Sequence, residues 1–148
     1  MYLISHRGNI DDPCPSMENS PSYIMAAVDS GFDVEVDVWK VDDLIYLGHD
    51  QPQYLIDLSF LNNERFWCHC KNIDALHYLL EEGIRCFFHS TDDVTLTSDG
   101  YIWTYPGKKI TKKSICVLPE KSYHNTIDLA AGICSDYVNN LEIIKNVN

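Results

Sequence analysis

In the segment Asp33-Val34-Glu35-Val36-Asp37-Val38-Trp39-Lys40, residues 33–38 alternate strictly between charged and apolar side chains. Side chains on an extended chain point to opposite faces in turn, so Val34, Val36 and Val38 share one face and Glu35 and Asp37 the other. Two carboxylates about 7 Å apart on a strand face either meet water or converge on a cation. If the sheet is covered on both faces, inward carboxylates require a metal or cationic side chains as compensation.

Upstream, residues 2–5 read as a strand that delivers His6-Arg7-Gly8. Ser20-Pro21 marks a helix start, Ile24, Ala27 and Val28 follow at one-face spacing, and Gly31 can end the helix. Downstream, Asp42-Asp43 turns the chain into a strand at 44–47 that delivers Gly48-His49-Asp50. Residues 65–71 form the next strand, with Phe66, Cys68 and Cys70 on one side and Trp67, His69 and Lys71 on the other. Asn72 caps a helix with a Leu76, Leu79, Leu80 stripe, closed by Gly83. Further strands are predicted at 86–89, 115–118 and 132–135. Asp99-Gly100 reads as the turn of a hairpin joining 94–97 to 101–104.

Alternating strands and helices predict an α/β fold in one domain spanning residues 1–148. A full barrel of eight βα units needs about 250 residues. The expectation is therefore a small, reduced (β/α) TIM-barrel-like fold with several helices missing or shortened. An open α/β sheet is the rival. His6, Glu35, Asp37, His49, His69, Lys71 and Trp103 fall towards the ends of different strands, as the mouth of a barrel requires.

The composition is that of a globular chain, 45% hydrophobic and 22% charged. No apolar run is long enough to span a bilayer, and the N-terminal residues lack the pattern of a signal peptide. A net charge of −11 argues against a nucleic-acid partner, because a phosphate backbone requires a basic surface. Lys108, Lys109, Lys112 and Lys113 read as a solvated turn, with a phosphate-attracting loop as the alternative. Most of the six cysteines lie in strand-like runs, which suits buried free thiols in a reducing, cytoplasmic compartment. A small barrel with few helices leaves apolar surface that a homo-oligomer would cover.

Singly, each polar feature has a structural reading: a turn histidine, a solvated carboxylate pair, a strand-end lysine, a core tryptophan. In order along the chain stand His6-Arg7-Gly8, Glu18-Asn19, Glu35-Val36-Asp37, His49-Asp50, His69-Cys70-Lys71, Trp103-Thr104 and Ser135-Asp136. This series resembles the pattern of the glycerophosphodiester phosphodiesterase family, within the phospholipase-C-like phosphodiesterase superfamily of TIM barrels, in a shortened form.

The resemblance implies metal-assisted hydrolysis of a small glycerophosphodiester or lipid-headgroup phosphodiester. Glu35 and Asp37 would hold Mg²⁺ or Ca²⁺. Arg7 and Lys71 would bind the substrate phosphate. His6 and His49 would share acid–base work, and Trp103 would form a substrate wall. His69 stands where the family has a glutamate, so it is a third candidate ligand, and imidazole makes Mn²⁺ or Zn²⁺ an option. Residues 51–68 leave no room for the insertion with which typical members cover the site, as in the related sphingomyelinase D group. Two alternatives stand beside hydrolysis: a non-catalytic phosphate-binding module, and a metal-independent, phospholipase-C-like cyclising enzyme.

Overall fold

In the computed structural model, residues 1–122 and 127–140 are described. The ten strands are β1 (Tyr2–His6), β2 (Asp33–Val41), β3 (Leu44–Leu47), β4 (Tyr54–Ile56), β5 (Phe66–Cys70), β6 (Cys86–Phe88), β7 (Val94–Leu96), β8 (Ile102–Thr104), β9 (Ser114–Val117) and β10 (Gly132–Ser135). Among the described residues the only α-helices are α1 (Pro21–Asp29), α2 (Leu58–Leu61) and α3 (Ile73–Glu81). None is long and apolar enough to cross a membrane.

The strands form one mixed sheet. Parallel pairing runs from β6 through β5, β2, β1, β10 and β9 to β8, with β7 antiparallel on β8. β2 is the branch point: one edge pairs with β1 at Asp33–Glu35 and then with antiparallel β3 beyond Val38, while the other edge pairs with β5. β4 adds to β3, so an antiparallel flap extends past the end of the parallel strands.

The sheet curls. Trp103 on β8 packs on Phe87 of β6 and Trp67 of β5, at ring separations of 4.5 and 5.9 Å, although those strands lie towards opposite ends of the pairing order. No ladder joins β6 to β7 among the described residues. Single hydrogen bonds from Ser98 N to Cys86 O and from Thr95 Oγ1 to Phe88 O bring the two together.

This corrects the expected reduced TIM-barrel-like fold. The molecule is a curled, mixed-sheet half-barrel with three short helices, and its α/β character is slight. The reason lies in the connections. A right-handed βαβ crossover needs a dozen or more residues, usually helical. Here only β1 to β2 and β5 to β6 carry such helices, α1 and α3. β2 joins antiparallel β3 through Asp42-Asp43, β3 joins antiparallel β4 through a short loop at 48–53, and β7 returns antiparallel onto β8. Two single turns of 3₁₀ helix, Pro119–Lys121 and Ile127–Leu129, stand between β9 and β10.

The alternation read from sequence places the core. Ile4, Trp67, Phe87, Trp103, Ile115, Val117 and Cys134 fill the concave side. Val34, Val36, Val38, Phe66, Cys68 and Cys70 pack outward against Ile24, Ala27 and Leu79 of the helices. Asn72 caps α3 as predicted, its side chain accepting from Ala75 N at 3.0 Å. Ser20 stands at the N-cap of α1 but makes no side-chain cap bond; Pro21 begins that helix. The sequence reading overlooked β4 and α2, which are too short to show a period. All six cysteines are free, and five are buried. The lysines at 109, 112 and 113 are exposed, and Lys108 pairs with Asp93 at 2.6 Å.

Candidate active site

At the C-terminal ends of the parallel strands lies a cavity of about 480 Å³ lined by His6, Arg7, Glu35, His49, His69, Lys71 and Trp103. All seven were expected at the site. Asp37 lies beneath the cavity, fully buried. The lining is completed by His89, Ser90, Tyr105, Val117 and Leu118, none of which the sequence reading had singled out for the site.

Register brings the ligand candidates together. Glu35 is the direct partner of His6 on β1 and of Trp67 on β5, and Asp37 is the direct partner of His69. One oxygen each from Glu35 and Asp37 and one nitrogen of His69 lie within 4.8 Å of one another. His69 Nδ1 is 3.1 Å from Asp37 Oδ1 and 3.5 Å from Glu35 Oε1. Glu35 Oε2, Asp37 Oδ1 and His69 Nε2 are buried without hydrogen-bond partners. The Asp37–His69 approach is therefore one of charge proximity, off the line of a hydrogen bond. Buried polar atoms are nearly always paired, so three residues that converge within 4.8 Å, each keeping one unpaired atom, suit an additional cation.

Asp37 is the electrostatic hub. Arg7 Nε lies 3.0 Å from Oδ2, Lys71 Nζ 3.4 Å from Oδ1, and Asn19 Nδ2 donates to Oδ2 at 2.8 Å while its own Oδ1 accepts from Asp37 N. Burial alone would raise this carboxyl; contact with His69 and the charges of Arg7 and Lys71 outweigh it and hold the group well below the usual carboxylate range. Burial likewise opposes the His69 imidazolium, but Asp37 and Glu35 win and raise its pKa. Arg7 is raised by Glu35 and Asp37 against its own burial.

The backbone at the mouth is bent to serve these contacts. Arg7 and Asn19 both adopt left-handed φ, at 56° and 61°, which non-glycine residues rarely do. The turn at Arg7-Gly8 brings Asn9 N back onto His6 O at 2.9 Å. A Cβ on Gly8 would meet the Tyr23 ring at 2.5 Å, and one on Gly48 would meet Gln51 O at 2.2 Å. Both glycines therefore permit turns that a side chain would block.

His6 and His49 are each held through Nδ1 by an aspartate. His6 Nδ1 is 2.7 Å from buried Asp136 Oδ1, and His49 Nδ1 is 2.7 Å from Asp50 Oδ1. A carboxylate only accepts, so Nδ1 carries the proton and Nε2 is left for the cavity. Burial would raise Asp136, but the bond from His6 outweighs it and lowers the group. Asn9 donates to both Asp136 and Glu18, and Glu18 accepts from Arg7 at 3.1 Å. Trp39 Nε1 donates to Gly48 O at 2.7 Å, tying down the turn that carries His49.

Trp103 is only 2% exposed, between Phe87 and Trp67, so it floors the cavity more than it walls it. Glu18, Asn19 and Asp136 stood in the ordered sequence series without a role; the structure makes them the supports of Arg7, Asp37 and His6. Asn9 and Trp39 carried no signal beyond their place in the chain. His89 and Tyr105 could have been found from alternation, since each follows an inward aromatic residue by two positions. Comparison with protein-family models, with curated proteins and with solved structures found no match.

Proposed function

We propose that this protein is a phosphodiester hydrolase acting on a small glycerophosphodiester or a lipid-headgroup phosphodiester. One observation carries the reading: His6 and His49, each oriented by an aspartate, share a cavity with Arg7, Lys71 and a carboxylate cluster. The resemblance of the ordered motifs to the glycerophosphodiester phosphodiesterase family supports it.

Glu35, Asp37 and His69 would hold a divalent cation, which supplies Lewis-acid polarisation of the phosphate. Two carboxylates and an imidazole suit Mn²⁺ or Zn²⁺ as well as Mg²⁺, and suit Ca²⁺ less. Arg7 and Lys71 bind phosphate oxygens and offset their charge. One histidine would take a proton at Nε2 from the attacking hydroxyl or water, and the other would protonate the departing alkoxide. Asp136 and Asp50 stabilise whichever imidazolium forms. The free thiols suit a reducing compartment.

A second reading is metal-independent acid–base catalysis of the cyclising kind. Asp37 favours it, because Arg7, Lys71 and His69 already surround that carboxylate. The test is hydrolysis of an aryl phosphodiester and of glycerophosphocholine with Mg²⁺, Ca²⁺, Mn²⁺, Zn²⁺ or EDTA. Metal-dependent turnover that falls by about 10²–10⁴ in His6→Ala and His49→Ala is expected. Equal turnover in EDTA selects the second reading. Full activity in both histidine variants sinks both.

A further inference from the structure

We propose that Asn9 is a positioning residue that ties the phosphate-binding Arg7 to the orientation of His6, so that the two respond as one unit. This role rests on the phosphodiesterase reading of the cavity and adds to it a fully buried residue that does not line it.

Consecutive side chains on a strand face opposite sides, so His6 and Arg7 would part if β1 simply continued. Left-handed φ at Arg7 (56°) and Gly8 (98°) reverses the chain, and both side chains reach the cavity. The turn closes with Asn9 N on His6 O at 2.9 Å, which sets the Asn9 side chain beside the supports of both.

That side chain uses its whole bonding capacity. Nδ2 donates to Asp136 Oδ1 at 2.8 Å and to Glu18 Oε1 at 3.0 Å. Oδ1 accepts from Cys14 N at 3.0 Å and from the Tyr23 hydroxyl at 3.2 Å. A backbone N–H only donates and a carboxylate only accepts, so no other orientation of the amide satisfies these partners.

Both carboxylates lead on to the cavity. Asp136 Oδ1 is the oxygen that holds His6 Nδ1 at 2.7 Å, and Glu18 uses its other oxygen for Arg7 at 3.1 Å. A continuous chain therefore runs from His6 through Asp136, Asn9 and Glu18 to Arg7, with Asn9 as its neutral middle link. An amide gives one N–H to each carboxylate without adding charge; a serine has one donor and an aspartate has none. Linked buried hydrogen bonds support one another, so loosening the middle reaches both ends.

The test reads the two ends separately, in EDTA. Nitrogen NMR of the His6 ring reports its tautomer, and calorimetry with dimethyl phosphate reports the Arg7 end. Asn9→Ser and Asn9→Leu are expected to weaken dimethyl phosphate binding by about threefold and about tenfold, as one and two lost charge-assisted bonds imply. Both are expected to mix the His6 tautomers. Glu18→Ala, which removes a partner of Arg7 and not of His6, is expected to mix them as well, and to add little once Asn9 is serine. Fully additive effects of Glu18→Ala and Asn9→Ser overturn the proposal. So do lower stability with unchanged tautomer and affinity in the Asn9 variants, which would leave Asn9 serving the fold alone, and folded wild-type protein that binds no dimethyl phosphate. Turnover is read apart from these: the expected binding and tautomer changes in a protein that cleaves no diester leave the role of Asn9 standing and sink the hydrolase reading.

Discussion

The two ends of the parallel strands handle charge in opposite ways. At the N-terminal end, Arg85 Nε meets Asp99 at 2.7 Å, its NH1 donates to Glu64 O, and its guanidinium lies 4.2 Å over the Trp67 ring. Trp67 Nε1 in turn donates to Asp33 at 2.9 Å. A cavity of about 510 Å³ opens there beside Arg85 and Asp99, yet these groups already have partners. At the C-terminal end, Glu35, Asp37, His69, His89 and Tyr105 each keep a buried polar atom without a hydrogen bond. Similar space is available at both ends, so volume does not separate them. Unmet bonding capacity does, because a folded chain leaves buried polar groups unpaired chiefly where something else is to bind.

Within the open end, Asp37 and Glu35 sharpen the contrast. Asp37→Asn removes the anion that offsets three cationic neighbours and is expected to destabilise the fold by about 3–5 kcal/mol, measured by urea unfolding. A loss below about 1 kcal/mol would show that Asp37 is not the hub. Glu35→Gln changes a group whose Oε2 has no partner, so metal-free stability is expected to hold or rise. Its affinity for Mn²⁺, read by calorimetry, is expected to fall about a hundredfold. Unchanged affinity in Glu35→Gln would remove the metal from the proposal.

The closed end is tested by Arg85→Ala. Losing the Asp99 pair and the stacking over Trp67 is expected to reduce stability by about 1–2 kcal/mol. Metal affinity and turnover per folded molecule should stay within twofold, and a large change in either would break the distinction between the ends. The smallest expected effect is at Trp39→Phe, which removes one hydrogen bond to Gly48 O. Stability should drop by about 1 kcal/mol and turnover by a few-fold, through looser placement of His49. The KM for an aryl diester should change less than kcat, whereas a purely structural role would leave kcat per folded molecule intact.

Much of the site was legible because strands alternate. Once residues 33–40 read as a strand, Glu35 and Asp37 had to share a face, and the same rule placed Trp67, His69 and Lys71 together. The glycines after His6-Arg7 and before His49 marked turns at strand ends. The helices were legible where Pro21, Asn72 and Gly83 punctuate them. The overall architecture was not. The β7–β8 hairpin was legible because Asp99-Gly100 marks its turn, but elsewhere local pattern sees a strand and not its neighbour, and the places of β3 and β4 depend on pairings between segments. The expectation of a reduced barrel failed at that step, because several connections reverse the chain instead of crossing it.

The sequence by itself determined which side chains can do chemistry and which face of its strand each occupies. Period-two alternation is a property of the extended backbone and needs no partner. Only the tertiary structure decided that Asp37 and His69 stand in direct register, that Asp136 reaches His6 across 130 positions, and that His89 and Tyr105 line the same cavity. Those contacts depend on register and sheet curl, which many non-local contacts fix together and no local segment encodes.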